Sequence, residues 1–305
     1  MRIWMDVLSR SFYEMKFEIF FMKKKGNEFE DFFSNIMEKR HIDGDFIRVR
    51  PWGNVGDRKN DGYLKSERTL YQVYAPNDMT AASAISKIEE DFSGALPYWQ
   101  SHFDIWKFVH NSREGLGPDV TKKLLDLDLL HCEVTILHFG FEELRRKFFE
   151  LNEQDIIHVV GNIPTAQSFN TIGFESFKVL LGHIVLNRDV VIPDLRPVPK
   201  NKLAINKLSA HIEHLIKFGL TKTGLVREFF EKWPDATFGD SITKTINDEY
   251  IRLRDLGISP DNIFYKLREF VLGDMAKLAE QDMACLVVLS YFFEECDIFE
   301  REVKS

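Results

Sequence analysis

The chain reads as an α/β domain followed by an all-α bundle. Three observations predict this. Short aromatic and β-branched runs alternate with helix-period segments in the first half. Pro193, Pro197 and Pro199 then crowd into Val190–Lys200, the best linker in the chain. Beyond that point only helical periodicity remains. The expected division is 1–165 as the α/β domain with a helical lead-in, 166–200 as a helix and Pro-rich linker, and 201–305 as a helical interaction domain.

In order, residues 1–24 predict a helical lead-in ending at Lys23-Lys24-Lys25. Phe29, Phe32, Phe33, Ile36 and Met37 recur at helical spacing from Asn27 to Lys39, with Glu28, Glu30 and Asp31 in the first turn. Strands follow at Phe46–Pro51, around Asp61–Leu64 and at Thr69–Tyr74, punctuated by Gly53, Gly56 and Gly62. Asn77-Asp78-Met79-Thr80 caps a helix through about Phe92, with Ala81, Ala84, Ile85 and Ile88 on one face. Phe103–Val109, Cys132–Phe139 and Ile156–Val160 read as strands, with helices at 119–125 and 141–150 between them. Helices are expected at 174–185, 201–218, 222–231, 238–256, 260–273 and 275–293.

Composition narrows the function classes. Apolar content of 44% and 27 phenylalanines supply an ample core in a chain of 305 residues. A formal charge of −8 argues against coating nucleic acid by bulk electrostatics. Basic residues nevertheless gather locally, at Arg48, Arg50, Arg58, Lys59, Lys65 and Arg68. Cys132, Cys285 and Cys296 form neither a metal-type pairing nor an even disulfide framework, as in a reduced compartment. No uninterrupted apolar core of a signal peptide opens the chain, and Ala284–Phe293 falls short of the ~20 residues a membrane span requires. A cytoplasmic protein without a membrane segment is expected.

The chemistry-bearing residues concentrate between Phe46 and Pro76. Asp61 opens a strand, and Gln72 lies between Tyr71 and Val73 in the next. A polar side chain inside an apolar strand must hydrogen-bond or coordinate something. Strand alternation puts Gln72 and Tyr74 on one face. Two oxygen-bearing side chains on one sheet edge suit a hard divalent cation such as Mg²⁺. Turn capping is the alternative for Asp61, and helix-dipole complementation for Glu30. His110 and Asn111 end a strand where phosphate or sugar contacts are common in α/β sheets, although Asn111 equally suits a turn. His211 and His214 share a helix face but have no third ligand.

The order helix, strand, strand, strand, helix, strand, with Gly26-x-x-Phe29-Glu30, Asp61-Gly62 and Gln72-x-Tyr74, resembles the restriction-endonuclease-like, or PD-(D/E)xK, superfamily over residues 25–110. The resemblance implies a mixed sheet flanked by helices. It also implies an Mg²⁺ or Mn²⁺ site formed by Asp61, Gln72 and Glu30, and hydrolysis of DNA phosphodiesters. The superfamily's lysine should stand two residues after Gln72, where this chain has Tyr74. Lys87 on the following helix is the natural replacement, and Lys59 the second candidate, for charge stabilisation at the phosphate. Arg58, Lys59, Lys65 and Asn111 are the expected nucleic-acid contacts. A non-cleaving binding or adaptor protein on the same fold is the rival expectation.

A second resemblance covers the tail. Leu203-x-x-Asn206-x-Leu-Ser209, Phe238-Gly-Asp240-x-Ile242, Tyr250, Ser259-Pro-Asp-x-Ile-Phe264 and Tyr291-Phe-Phe-Glu-Glu-Cys-Asp-Ile-Phe-Glu300 are similar to the helical C-terminal domains of bacterial ABC-three-component systems. It implies an ABC-type ATPase and a small middle component as partners, in defence against phages and other mobile elements. Self-association is compatible with the sequence. Glu294–Glu300 alternates acidic and apolar residues, as either a docking surface or a terminus tucked into its own bundle.

Overall fold

The computed structural model describes residues 5–50, 58–182, 184, 202–235, 237–273, 279–295 and 298–300. Gly53, Gly56, Asp57, the Val190–Lys200 linker and Cys296 lie outside the described residues. The chain divides into two compact units, 16–161 and 1–15 together with 162–305, and the division falls within helix α1 (Val7–Lys23).

The first unit continues with α2 (Gly26–Arg40), β1 (Phe46–Arg48), β2 (Gly62–Leu64), β3 (Thr69–Tyr74), α3 (Ala81–Trp99), β4 (Ile105–His110), α4 (Pro118–Leu130), β5 (Thr135–Phe139), α5 (Phe141–Phe149) and α6 (Glu153–Val160). Its five strands form one mixed sheet in chain order: β1, β2 and β3 are antiparallel, while β3, β4 and β5 are parallel. The parallel connections run through α3 and α4, because parallel neighbours need a crossover long enough to hold a helix. Strand alternation separates two cores. Phe46 and Tyr71 pack against Phe33 of α2, at 5.9 and 5.4 Å between ring centroids. On the opposite face, Leu70, Trp106, Phe108 and Ile136 meet Ala84, Ile88 and Phe92 of α3 and Val120 and Leu124 of α4.

Local sequence explains the element ends. Thr80 caps α3 by accepting from Ser83 N–H, and Ser83 answers at the Thr80 backbone. Ile156–Val160, expected as a strand, is helical. Asn152 accepts from Asp155 N–H at 3.0 Å and starts a helix there. Ile156 and Val160 are buried while His158 is exposed, a helical rather than alternating pattern.

The second unit contains α7 (Ala166–Thr171), α8 (Phe174–Gly182), α9 (Lys202–Ile205), α10 (Ala210–Leu220), α11 (Thr223–Lys232), α12 (Phe238–Asp255), α13 (Pro260–Leu272) and α14 (Ala279–Glu294). The expected single helix over 201–218 is two: Lys207 takes φ +50°, and Ser209 starts α10. Ile298 and Phe299 are 1% and 4% exposed, so these two residues tuck into their own bundle. No described helix is long and apolar enough to cross a membrane.

Candidate functional site

The antiparallel register pairs Gly62 with Tyr71, so Asp61 immediately precedes that pair on one strand and Gln72 immediately follows it on the other. Asp61 N–H donates to the Tyr71 carbonyl at 3.0 Å, and the Asp61 carboxylate accepts from Val73 N–H at 2.6 Å. Both side chains are buried, and Gln72 Oε1 has no hydrogen-bond partner. An orphaned carbonyl costs roughly 1–3 kcal/mol of desolvation, which makes this oxygen a candidate ligand position. Gln72 shares its sheet face with Tyr74, whose ring lies 6.0 Å from Phe108. Tyr74 is in register with His110.

The segment before Asp61 is tightly held. Arg58 and Lys59 are consecutive non-glycine residues at φ +56° and +62°. Each left-handed residue costs about 1–2 kcal/mol, which the contacts to α3 offset. Trp99 Nε1 donates to the Arg58 carbonyl at 3.0 Å, and the Arg58 guanidinium lies 5.5 Å from the Tyr98 ring centroid. The Lys59 stem crosses Gly94, where an added Cβ would sit 2.8 Å from Lys59 Cγ. Only glycine allows that crossing. Between this loop and Asp61, Asn60 is fully buried with neither amide atom partnered.

Asp91 of α3 is the centre that sequence reasoning missed. It is fully buried; Lys87 Nζ lies 2.9 Å and Lys59 Nζ 3.2 Å from its Oδ1, while Oδ2 has no hydrogen bond. Burial pushes the Asp91 carboxyl above its usual range and the two lysines pull it back. Lys59 also pairs with Glu90. A signal was present: position 91 continues the apolar stripe of Ala84 and Ile88, and a carboxylate at such a position requires partners.

The remaining candidates are dispersed. Glu30 accepts from Arg48 at 3.3 Å on α2, which packs on the sheet face opposite Gln72. Arg48 pairs with Asp31 as well, and Arg68 with Asp104 at 2.7 Å, so much of the local basic charge is neutralised. Lys65 lies in the β2–β3 turn, at the far end of β2 from Asp61. Asn111 follows β4 at the same sheet end as Asp61, and its amide donates to the Pro76 carbonyl at 3.2 Å. Its neighbour His110 is 1% exposed, with neither ring nitrogen partnered. Burial, aided by His138, depresses its pKa to about 4.

Among the described residues no group of three or more His, Cys, Asp or Glu side chains is placed to hold a metal ion. The oxygens of Asp61 and Gln72 suit a hard cation that takes few protein ligands and keeps its waters, and the orphaned Gln72 Oε1 fits that demand.

In the helical unit several residues of the second resemblance are hydrogen-bonded to one another. Asn206 donates to the Glu300 carbonyl at 3.0 Å and accepts from Glu300 N–H at 2.7 Å. Tyr250 hydroxyl donates to the Glu300 carboxylate at 3.1 Å. Ser209 N–H donates to Asp261 at 2.9 Å, and His211 meets the Tyr265 hydroxyl at 2.8 Å, which accounts for that histidine without a metal. Asn206 and Tyr250 fasten Glu300 to the bundle. No curated protein and no solved structure matches the chain. Residues 176–300 match the family model described as CTD10, C-terminal domain 10 of the ABC-three component (ABC-3C) systems.

Proposed function

We propose that the chain is an effector component of an ABC-three component system, acting in the cytoplasm against phages or other mobile elements. Its α/β unit is then a DNA phosphodiesterase dependent on Mg²⁺ or Mn²⁺. Its C-terminal domain couples that activity to an ABC-type ATPase and a small middle component. The observation that carries the reading is the buried Asp61 carboxylate held by the N–H of Val73, next in the chain to Gln72, whose buried amide oxygen has no hydrogen-bond partner. The element order α2-β1-β2-β3-α3-β4 supports it, being that of the restriction-endonuclease-like superfamily.

Asp61 and Gln72 would hold the cation. When bound, it supplies polarisation of the phosphate and a water of lowered pKa. The Val73 N–H fixes the Asp61 carboxylate, so its orientation is set before substrate arrives. Lys59 and Lys87 provide positive charge from the α3 side, in place of a lysine at position 74.

The test is cleavage of supercoiled plasmid, linear duplex and single-stranded DNA with Mg²⁺ or Mn²⁺. Wild type and Asp61→Asn are compared, with and without the ATPase and middle component. Cleavage that falls at least about 100-fold in Asp61→Asn supports the reading, that being the scale of losing one preorganised electrostatic group. Equal rates, or no cleavage in any combination, refute it. One observation favours a second reading, a non-cleaving nucleic-acid-binding adaptor: both lysines are paired with carboxylates and Tyr74 carries no charge. Divalent-independent duplex binding without any cleavage is its signature.

A further inference from the structure

We propose that Asp91 is the positioning residue of a two-lysine cation, Lys59 and Lys87, that meets the phosphate bound beside Asp61 and Gln72. The inference rests on the phosphodiesterase reading and deepens it. The sequence offered the two lysines as alternatives; the geometry joins them, because one buried carboxylate oxygen receives both ammonium groups, at 2.9 and 3.2 Å.

Three features separate this arrangement from an ordinary surface ion pair. Asp91 is fully buried, whereas the two lysines keep 30% and 29% of their side-chain surface. Both ammonium groups therefore rest on a buried anchor while their side chains stay partly open to solvent. Lys59 reaches Asp91 from a left-handed loop turn and across a glycine, both of them costly or restrictive choices. A surface pair would need neither, and isolated surface pairs contribute little to stability. Finally, Lys59 divides its hydrogen bonds between Asp91 and the exposed Glu90. Glu90 can turn to solvent, which lets Lys59 exchange that partner for a phosphate oxygen while Asp91 keeps hold of it.

The location fits the role. Lys59 is two residues before Asp61, and α3 covers the sheet face to which Gln72 points. The pair thereby supplies from helix and loop the charge that the superfamily resemblance expects at position 74. A phosphodiester of a nucleic acid is the ligand class that two convergent ammonium groups beside a hard-cation site recognise.

The experiment uses the full chain in the partner combination that supports cleavage, with a fluorescein-labelled duplex. Single-turnover cleavage in Mg²⁺ is measured together with duplex affinity in Ca²⁺ over a range of salt. Wild type, Asp91→Asn, Asp91→Glu and the Lys59→Ala/Lys87→Ala double variant are compared, each checked for folding by circular dichroism. The double variant is expected to lower the salt slope by about 2, one counterion for each lost phosphate contact. Asp91→Asn keeps both lysines and most of that slope, yet loses about 10–100-fold in cleavage rate, as when an orienting partner of a reactive group is removed. Asp91→Glu recovers part of the loss. Wild-type cleavage rates in folded Asp91→Asn, or an unchanged salt slope in the double variant, overturn the inference and leave the phosphodiesterase reading standing. If Asp91→Asn does not fold, the salt slope of the double variant decides. Absence of cleavage by wild type in every combination overturns both.

Discussion

Replacing Lys202 by Met tests what closes the C-terminal domain. Lys202 is 2% exposed in the short helix α9, and its Nζ donates to the Phe293 carbonyl at 2.8 Å and to the Ile298 carbonyl at 2.6 Å. It lies 4.5 Å from the Phe293 ring centroid. The first acceptor belongs to the last turn of α14, where carbonyls lack helical partners and a cation complements the dipole. Methionine retains the apolar stem and removes both donors. Each hydrogen bond from a charged donor contributes about 1.5–3 kcal/mol. Removing the buried ammonium returns part of its desolvation cost. A net loss of roughly 3 kcal/mol follows from these two effects. Urea unfolding of the full chain followed by circular dichroism measures the loss, and hydrogen exchange locates it in α14 and residues 298–300. A loss below about 0.5 kcal/mol, the scale of an inconsequential surface change, with unchanged protection of α14, would refute the assignment of Lys202 as the closing residue.

Further expectations follow from close packing and from burial. At Gly219 an added Cβ would meet Ser290 Oγ at 2.1 Å and the Leu286 carbonyl at 3.0 Å, so Gly219→Ala should destabilise by about 1–3 kcal/mol despite the better helix propensity of alanine. Adding Ser290→Gly in the same chain should recover part of that loss in thermal unfolding, since it removes the side-chain clash but leaves the backbone one. Gln72→Met removes an orphaned buried carbonyl; it should raise stability by about 1 kcal/mol while abolishing cleavage, and a destabilised variant would show that Gln72 is structural. His110, with its pKa lowered to about 4, stays neutral in the fold while the unfolded chain takes up a proton below about pH 6.5. Its contribution to stability is therefore complete above about pH 6.5 and is lost as the pH falls toward 4, by up to roughly 3 kcal/mol. The urea midpoint of wild type should fall relative to that of His110→Phe between pH 7.5 and 4.5; parallel profiles would contradict the depressed pKa.

How much of this was legible beforehand depended on the range of the interaction involved. Periodicity located α2, β3, α3 and β4, because each buries one face and its apolar spacing records which. The antiparallel pairing of β2 with β3 was likewise readable, since two strands joined by a short turn leave few registers. Ile156–Val160 misled because β-branched residues suit a strand locally, while the Asn152 cap decided for helix. The break between α9 and α10 was hidden for a similar reason: Lys207 gives no turn signature of its own. Among the site residues, Glu30 and Lys65 share only sequence proximity with Asp61; the sheet face and the strand end they occupy are tertiary facts.

The sequence by itself determined the class of the fold, the helical character of the second unit and the hairpin that joins β2 to β3. All three rest on patterns within one element or between adjacent ones. Its tail motif also identified the ABC-three component C-terminal domain that the family match over 176–300 supports. Only the tertiary structure decided that Lys59 and Lys87 share Asp91, that Asn60 and His110 are buried without hydrogen-bond partners, and that Asn206 and Lys202 fasten residues 298–300. Those facts join residues 28 to 96 positions apart or depend on burial from all sides, as Lys59–Lys87 and Lys202–Ile298 do. No local pattern encodes such distances; they follow from how the helices pack.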